Sequence, residues 1–245
     1  MKNLLTIVVC HSDNNDIATC DGVEFIFPEE GENEKNFLTR AFKQAKGKYS
    51  LVCENTLKLA DVQSVLNILD KNTADIVCFM GGAVFRTAIM KNAVKDCEDA
   101  FSCRVLALLE CKNLLKTVYN PFIFVKRAKD FTEENTEGIL LAAAEFKKAK
   151  AKLTKEIYSF AFDMLCSKLV TYYLYSMLAI KDGSMPAEKL IDFDNKLKAE
   201  IVLYLALDKR FTYAKLQKLR DKGFKISSLT ARKFKKCLKI LEIKK

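Results

Sequence analysis

This sequence predicts an α/β fold with a mostly parallel sheet flanked by helices, followed by an all-helical C-terminal region. Three observations carry that expectation. Over the first half, short apolar or β-branched runs alternate with stretches of helical period. Glycines and prolines punctuate the junctions between them. Beyond Thr132 every segment reads as helix. At 245 residues, half of them hydrophobic and 29% charged, the chain has the composition of a globular protein with a substantial core.

The elements follow in order. Residues 4–9 form a continuous β-branched run, which a parallel sheet covered on both faces requires. A polar loop, residues 11–15, comes next. Residues 23–27 predict a second strand, stopped by Pro28 and the turn-prone Glu29-Glu30-Gly31. Over residues 33–46, Phe37, Ala41 and Ala45 share one helix face, and Gly47 is the expected stop. Residues 49–53 are the third strand. Asp61 suits the N-cap of a helix whose apolar face is Val62, Val65, Leu66 and Leu69. Residues 75–79 are a fourth strand, broken by Gly81-Gly82. A helix is expected from Glu98-Asp99 to about Leu115, and a last strand over residues 121–125. Residues 137–180 and 187–207 are long amphipathic stretches separated by Asp182-Gly183-Ser184-Met185-Pro186. The expected boundary near Gly138 gives a core of residues 1–138 and a helical region of residues 139–245.

Composition narrows the function. Nine cysteines without a CxxC pair, several inside apolar runs, fit buried reduced thiols in a cytoplasmic protein. A single histidine, His11, argues against a zinc site. The N-terminal apolar run is too short and too β-branched for a signal peptide. Residues 157–180 are about long enough to span a membrane. Asp163 and Lys168 near the middle are costly there, so a buried helix is expected instead.

The net charge of +10 is concentrated in the tail, since residues 208–245 hold 14 Lys and Arg against 3 acidic residues. A basic tail on a near-neutral body points to an anionic partner for the tail alone. Within it Phe234, Cys237, Leu238 and Leu241 recur at helical spacing among Arg232, Lys233, Lys235, Lys236 and Lys239. That pattern suits either an anionic membrane surface, reached through residues 209–245, or a terminal helix packed on its own bundle. No nucleic-acid recognition motif accompanies the charge, so nucleic acid is not the expected partner.

Several short motifs fall in a recognisable order. Val9-Cys10-His11-Ser12-Asp13 closes the first strand, and Pro28-Glu29-Glu30-Gly31-Glu32 closes the second. Ala45-Lys46-Gly47-Lys48-Tyr49 leads into the strand that ends at Glu54-Asn55-Thr56. Gly82-Ala83-Val84-Phe85-Arg86 reads as an apolar turn with Phe-Arg, Glu98-Asp99 opens a helix, and residues 121–127 complete the series. Across residues 4–127 the order resembles the family 2 glycosyltransferases of GT-A fold, with a degenerate Asp-x-Asp motif.

The resemblance implies a sugar transfer from a nucleotide-sugar donor to a saccharide or lipid-linked acceptor, in surface polysaccharide assembly. It places the nucleotide at Cys10, His11, Asp13 and Glu29. It makes Asp99, with Glu98 beside it, the general base that deprotonates the acceptor hydroxyl. Glu54 stands where the first carboxylate of Asp-x-Asp holds a divalent cation, Mg or Mn. Thr56 replaces the second carboxylate, which weakens that expectation. The residues alone leave alternatives open. Asp99 is equally a helix-capping carboxylate, Glu29 a solvated turn residue, and His11 a locally bonded histidine. The eroded ligands leave a catalytically inactive GT-A module, acting as a binding partner, as the rival reading. The buried thiols place the protein in the cytoplasm, and the basic tail makes the inner membrane face its expected peripheral site.

Overall fold

In the computed structural model, residues 3–10, 21–54, 56–59, 61–80, 82–119, 122–125 and 136–200 are described. The chain divides into two compact units. One comprises Met1–Ala128 with Lys148–Ala161, the other Lys129–Lys147 with Phe162–Lys245.

The first unit is built on a sheet. Strands β1 (Leu5–Val9), β2 (Val23–Ile26), β3 (Tyr49–Cys53), β5 (Ile76–Phe79), β6 (Gly82–Arg86) and β7 (Leu114–Lys116) form a six-stranded sheet of order β2-β1-β3-β6-β5-β7. β1 pairs in parallel with both β2 and β3, and β5 in parallel with β7. β6 runs antiparallel to both of its neighbours. A mostly parallel sheet is therefore present, as the β-branched runs required. A separate antiparallel pair joins β4 (Thr56–Leu59) to β8 (Phe122–Val125).

Both faces of the sheet are covered. Leu5, Ile7 and Val9 of β1 and Tyr49, Leu51 and Cys53 of β3 pack with Val65, Leu66 and Leu69 of α2 (Val62–Asp70). The alternate residues face the other way, where α1 (Glu34–Gln44), α3 (Thr87–Ala93) and α4 (Ala100–Glu110) pack on one another. Buried Ser50 of β3 shares a 2.7 Å hydroxyl–hydroxyl hydrogen bond with Thr87, the first residue of α3. That explains why every residue of β1 and β3 is buried: these strands have no solvent face.

Several expected boundaries shift. The helix before Gly47 ends at Gln44 with Ala45 as its C-cap, so Gly47 is not its stop. Gly47 is required by close approach instead: a Cβ there would lie 2.5 Å from the Thr6 amide nitrogen. Gly82 does not lie in a turn that only breaks a strand, because Phe79 pairs with Gly82 in a tight hairpin and residues 82–86 form β6. The helix expected to reach Leu115 ends at Glu110, and Leu114–Lys116 is the edge strand β7.

The remaining described elements are helices, as expected for the C-terminal region: α5 (Thr136–Ala149), α6 (Lys155–Asp182) and α7 (Ala187–Lys198). The long amphipathic stretch is broken by a 3-10 turn at Lys150–Lys152. The α6 amides then restart on Thr154, whose carbonyl accepts from Tyr158 N and whose Oγ1 accepts from Ile157 N. In the second unit, Tyr172 lies 4.4 Å from the Phe193 ring of α7, and the Tyr173 hydroxyl donates to the buried Asp194 carboxylate. No described helix is long and apolar enough to cross a membrane.

Candidate functional site

The order of the sheet identifies a crevice before any side chain is considered. The chain leaves β1 toward β2 on one side, then returns across β1 to place β3 on the other. In an open α/β sheet, ligands bind at the carboxyl ends of strands where that reversal occurs. The residues just past β1 and β3 are Cys10 and Glu54, and the Cys10 amide donates to the Cys53 carbonyl at 2.9 Å. The parallel register carries both to the same edge.

Helix starts bring further charge to that edge. Glu34, in the first turn of α1, accepts from the Ala100 amide at 2.9 Å through Oε1. Asp99 caps α4: its Oδ1 accepts from the Ser102 amide at 2.7 Å and the Ser102 hydroxyl at 2.6 Å. The Ser102 hydroxyl oxygen in turn accepts from the Asp99 and Glu98 amides, each at 3.0 Å, which completes a capping box. Asp99 is thereby buried and oriented by its own helix. Glu98 points to a different partner, the exposed Lys35, at 2.8 Å.

At the centre is an ion pair absent from the sequence reading. Arg104 Nη2 lies 2.7 Å from Glu54 Oε2, with only 23% and 18% of the two side chains exposed. Burial acts to lower the Arg104 pKa, and the Glu54 carboxylate, with Cys10 and Asp99 nearby, reverses the effect and raises it. The guanidinium is charged. Its Nε is buried and has no hydrogen-bond partner among the described residues. Burial, with Glu34 and Glu54 nearby, pushes the half-buried Cys10 thiol well above its ordinary range, so it stays neutral. Arg104 was detectable in principle, as the single charge within the apolar run Val105-Leu106-Ala107-Leu108-Leu109 and the Ala100-Phe101-Ser102-Cys103 that precedes it.

The other expected site residues are distributed differently. Glu29 lies in the turn after β2, solvated, with Arg40 Nη1 3.5 Å from its Oε1. Arg40 grips the same turn through Glu32, at 2.7 and 3.0 Å, and through the Phe27 carbonyl at 2.9 Å. His11 and Asp13 lie outside the described residues, as do Asn55 and the tail, residues 201–245. Thr56 begins β4, so the chain leaves the Glu54 tip directly into the second sheet. The Phe85-Arg86 segment serves the fold: Arg86 donates to the Thr73 and Ala74 carbonyls at 2.6 and 3.3 Å.

A divalent cation was expected at Glu54, and the residues do not fit one. The Glu54 carboxylate is engaged by a guanidinium, and the second position carries a neutral threonine. Among the described residues, no group of three or more His, Cys, Asp or Glu is arranged to hold a metal ion.

No family model matches the chain, and no curated protein does. Among solved structures, the chain is similar to residues 1–349 of S. aureus TarS, with 13% identity and a TM-score of 0.48. That match covers 82% of this chain and 81% of the other.

Proposed function

We propose that this chain is a glycosyltransferase-like protein of GT-A type that binds a nucleotide-sugar donor at the carboxyl ends of β1 and β3. The observation that carries the reading is the convergence of Cys10, Glu54, Arg104 and the start of α4 at the strand-order reversal. The order of motifs over residues 4–127 supports the same assignment. In the catalytic form of the reading, Asp99 takes the proton of an acceptor hydroxyl as that oxygen bonds to the sugar's anomeric carbon, and the bond from that carbon to the departing nucleoside diphosphate breaks. Its acceptor is a saccharide or a lipid-linked saccharide, in surface polysaccharide assembly.

One observation favours a second reading, an inactive GT-A module that binds without transferring. The Asp99 Oδ1 is committed to the first turn of α4, and Glu98 is paired with Lys35. A carboxylate held this way has a complete structural role without chemistry. A thermal-shift panel of UDP-, GDP- and CDP-sugars, followed by product analysis of each sugar that binds, tests both readings. A raised melting temperature with slow donor hydrolysis supports the transferase. Binding without turnover supports the inactive module. No shift at millimolar ligand overturns the donor site in both forms.

A further inference from the structure

We infer that the Arg104 guanidinium is the resident positive charge of this site, that the donor's diphosphate binds by exchanging into its ion pair with Glu54, and that no divalent cation takes part. The inference rests on the proposed donor site and specifies how that site meets its ligand. A phosphate-binding site needs a fixed positive charge, and a family resemblance would supply it as a metal ion between two carboxylates. Here one of those carboxylates is a threonine and the other already holds a guanidinium at 2.7 Å. A cation entering beside Glu54 would have to displace Arg104 or share one carboxylate with it, and like charges oppose both arrangements.

Arg104 has the properties that a diphosphate contact requires. A guanidinium is always charged, and its fork matches phosphate oxygens in pairs. Its Nε is a buried donor with no partner among the described residues. A buried donor without a partner is costly, and a phosphate oxygen arriving there would satisfy it. The surrounding carboxylates do not compete for the incoming anion's position. Glu34 and Asp99 are bonded to amides of the first turn of α4, and Glu98 is paired with Lys35. Glu54 is thus the counter-ion that holds the guanidinium in place and yields it to phosphate.

The metal reading and the guanidinium reading predict opposite signs, which makes the test direct. Binding of UDP, GDP and CDP to the full chain is measured by calorimetry in EDTA and again in Mn²⁺. Wild type is expected to bind one of them equally, within about twofold, in both buffers. R104Q is expected to weaken binding about tenfold or more, and R104K to retain part of it. E54Q is expected to bind as tightly as wild type or tighter, because it frees the guanidinium. R104Q takes the guanidinium away from a half-buried carboxylate, so E54Q/R104Q, a neutral amide pair, controls for folding and is expected to bind as poorly as R104Q. Binding that requires Mn²⁺, or an E54Q variant that loses binding while R104Q keeps it, overturns the guanidinium assignment and leaves the donor site standing. Absence of binding by wild type in either buffer overturns the donor site itself, and this inference with it.

Discussion

Asp99 shows how much one residue can be asked to explain. Its Oδ1 holds the Ser102 amide and hydroxyl, and the box is closed by the Glu98 and Asp99 amides on the Ser102 oxygen. D99A should therefore cost about 1–2 kcal/mol of stability, measured by urea unfolding. D99N should cost only a few tenths, about what a good alternative cap loses. If Asp99 is also the base, D99N keeps the fold and nucleotide binding and loses transfer. Equal destabilisation by both variants would show that the charge, not the cap, is what matters there. The thiols give a second prediction. Burial pushes Cys78 to about 11 and Cys111 to about 12, from an ordinary value of 9.0. A folded-state pKa above the unfolded one means the contribution is complete below pH 9 and is lost as pH rises through 11 to 12. Stability should accordingly be flat through neutral pH and fall above about pH 9, and C111A should flatten that fall. A decline beginning near pH 7 would contradict the buried, neutral thiols. At this scale the sequence made the carboxylates visible, and Arg104 as a lone charge in an apolar run, but not their pairing, because a contact across 50 residues leaves no local periodicity to read.

Among elements, the connection from α2 to β5 is held from outside itself. Lys48 Nζ donates to the Leu69, Asp70 and Asn72 carbonyls at 2.9, 2.9 and 2.7 Å, capping the end of α2 with a positive charge. The Tyr49 hydroxyl adds bonds to the Asn72 and Ala74 carbonyls at 3.2 and 2.9 Å. K48M should cost about 1–2 kcal/mol, with α2 amides exchanging faster than those of α1, read by hydrogen exchange. Protection that falls equally in both helices would contradict a local cap. The neighbouring Gly47 is fixed by sterics: its amide donates to Thr6 Oγ1 at 2.9 Å, and that hydroxyl donates to Glu24 at 2.7 Å. G47A should cost about 1–3 kcal/mol, because a new Cβ meets backbone that cannot yield. The buried strands β1, β3 and β5 and the Asp61 cap of α2 were legible because composition and capping chemistry are local. The hairpin to β6 and the three-residue β7 were not, since their pairing with β5 decides them rather than their own residues.

Across the whole molecule, charge and architecture separate. The sheet unit carries the candidate site, and the tail carries most of the net positive charge. Salt-sensitive association with anionic membrane is the corresponding proposal for residues 209–245. Exposed cations are screened over about 8 Å at physiological ionic strength, so the attraction should fade as salt rises. Co-sedimentation with phosphatidylserine vesicles should fall when Arg232, Lys233, Lys235 and Lys236 are changed to Gln in the full chain. Binding that ignores both salt and these charges would leave a tail that serves the protein's own packing. The proposed donor site belongs to the sheet unit, where β1 and β3 end. Amide chemical-shift mapping of the full chain during titration with the nucleotide that binds tests it most directly. Shifts are expected at Cys10, Glu54, Glu34 and the first turns of α4 through Arg104. Shifts centred on β5 and β7, or among α5 to α7, with the β1 and β3 tips unmoved, would contradict it.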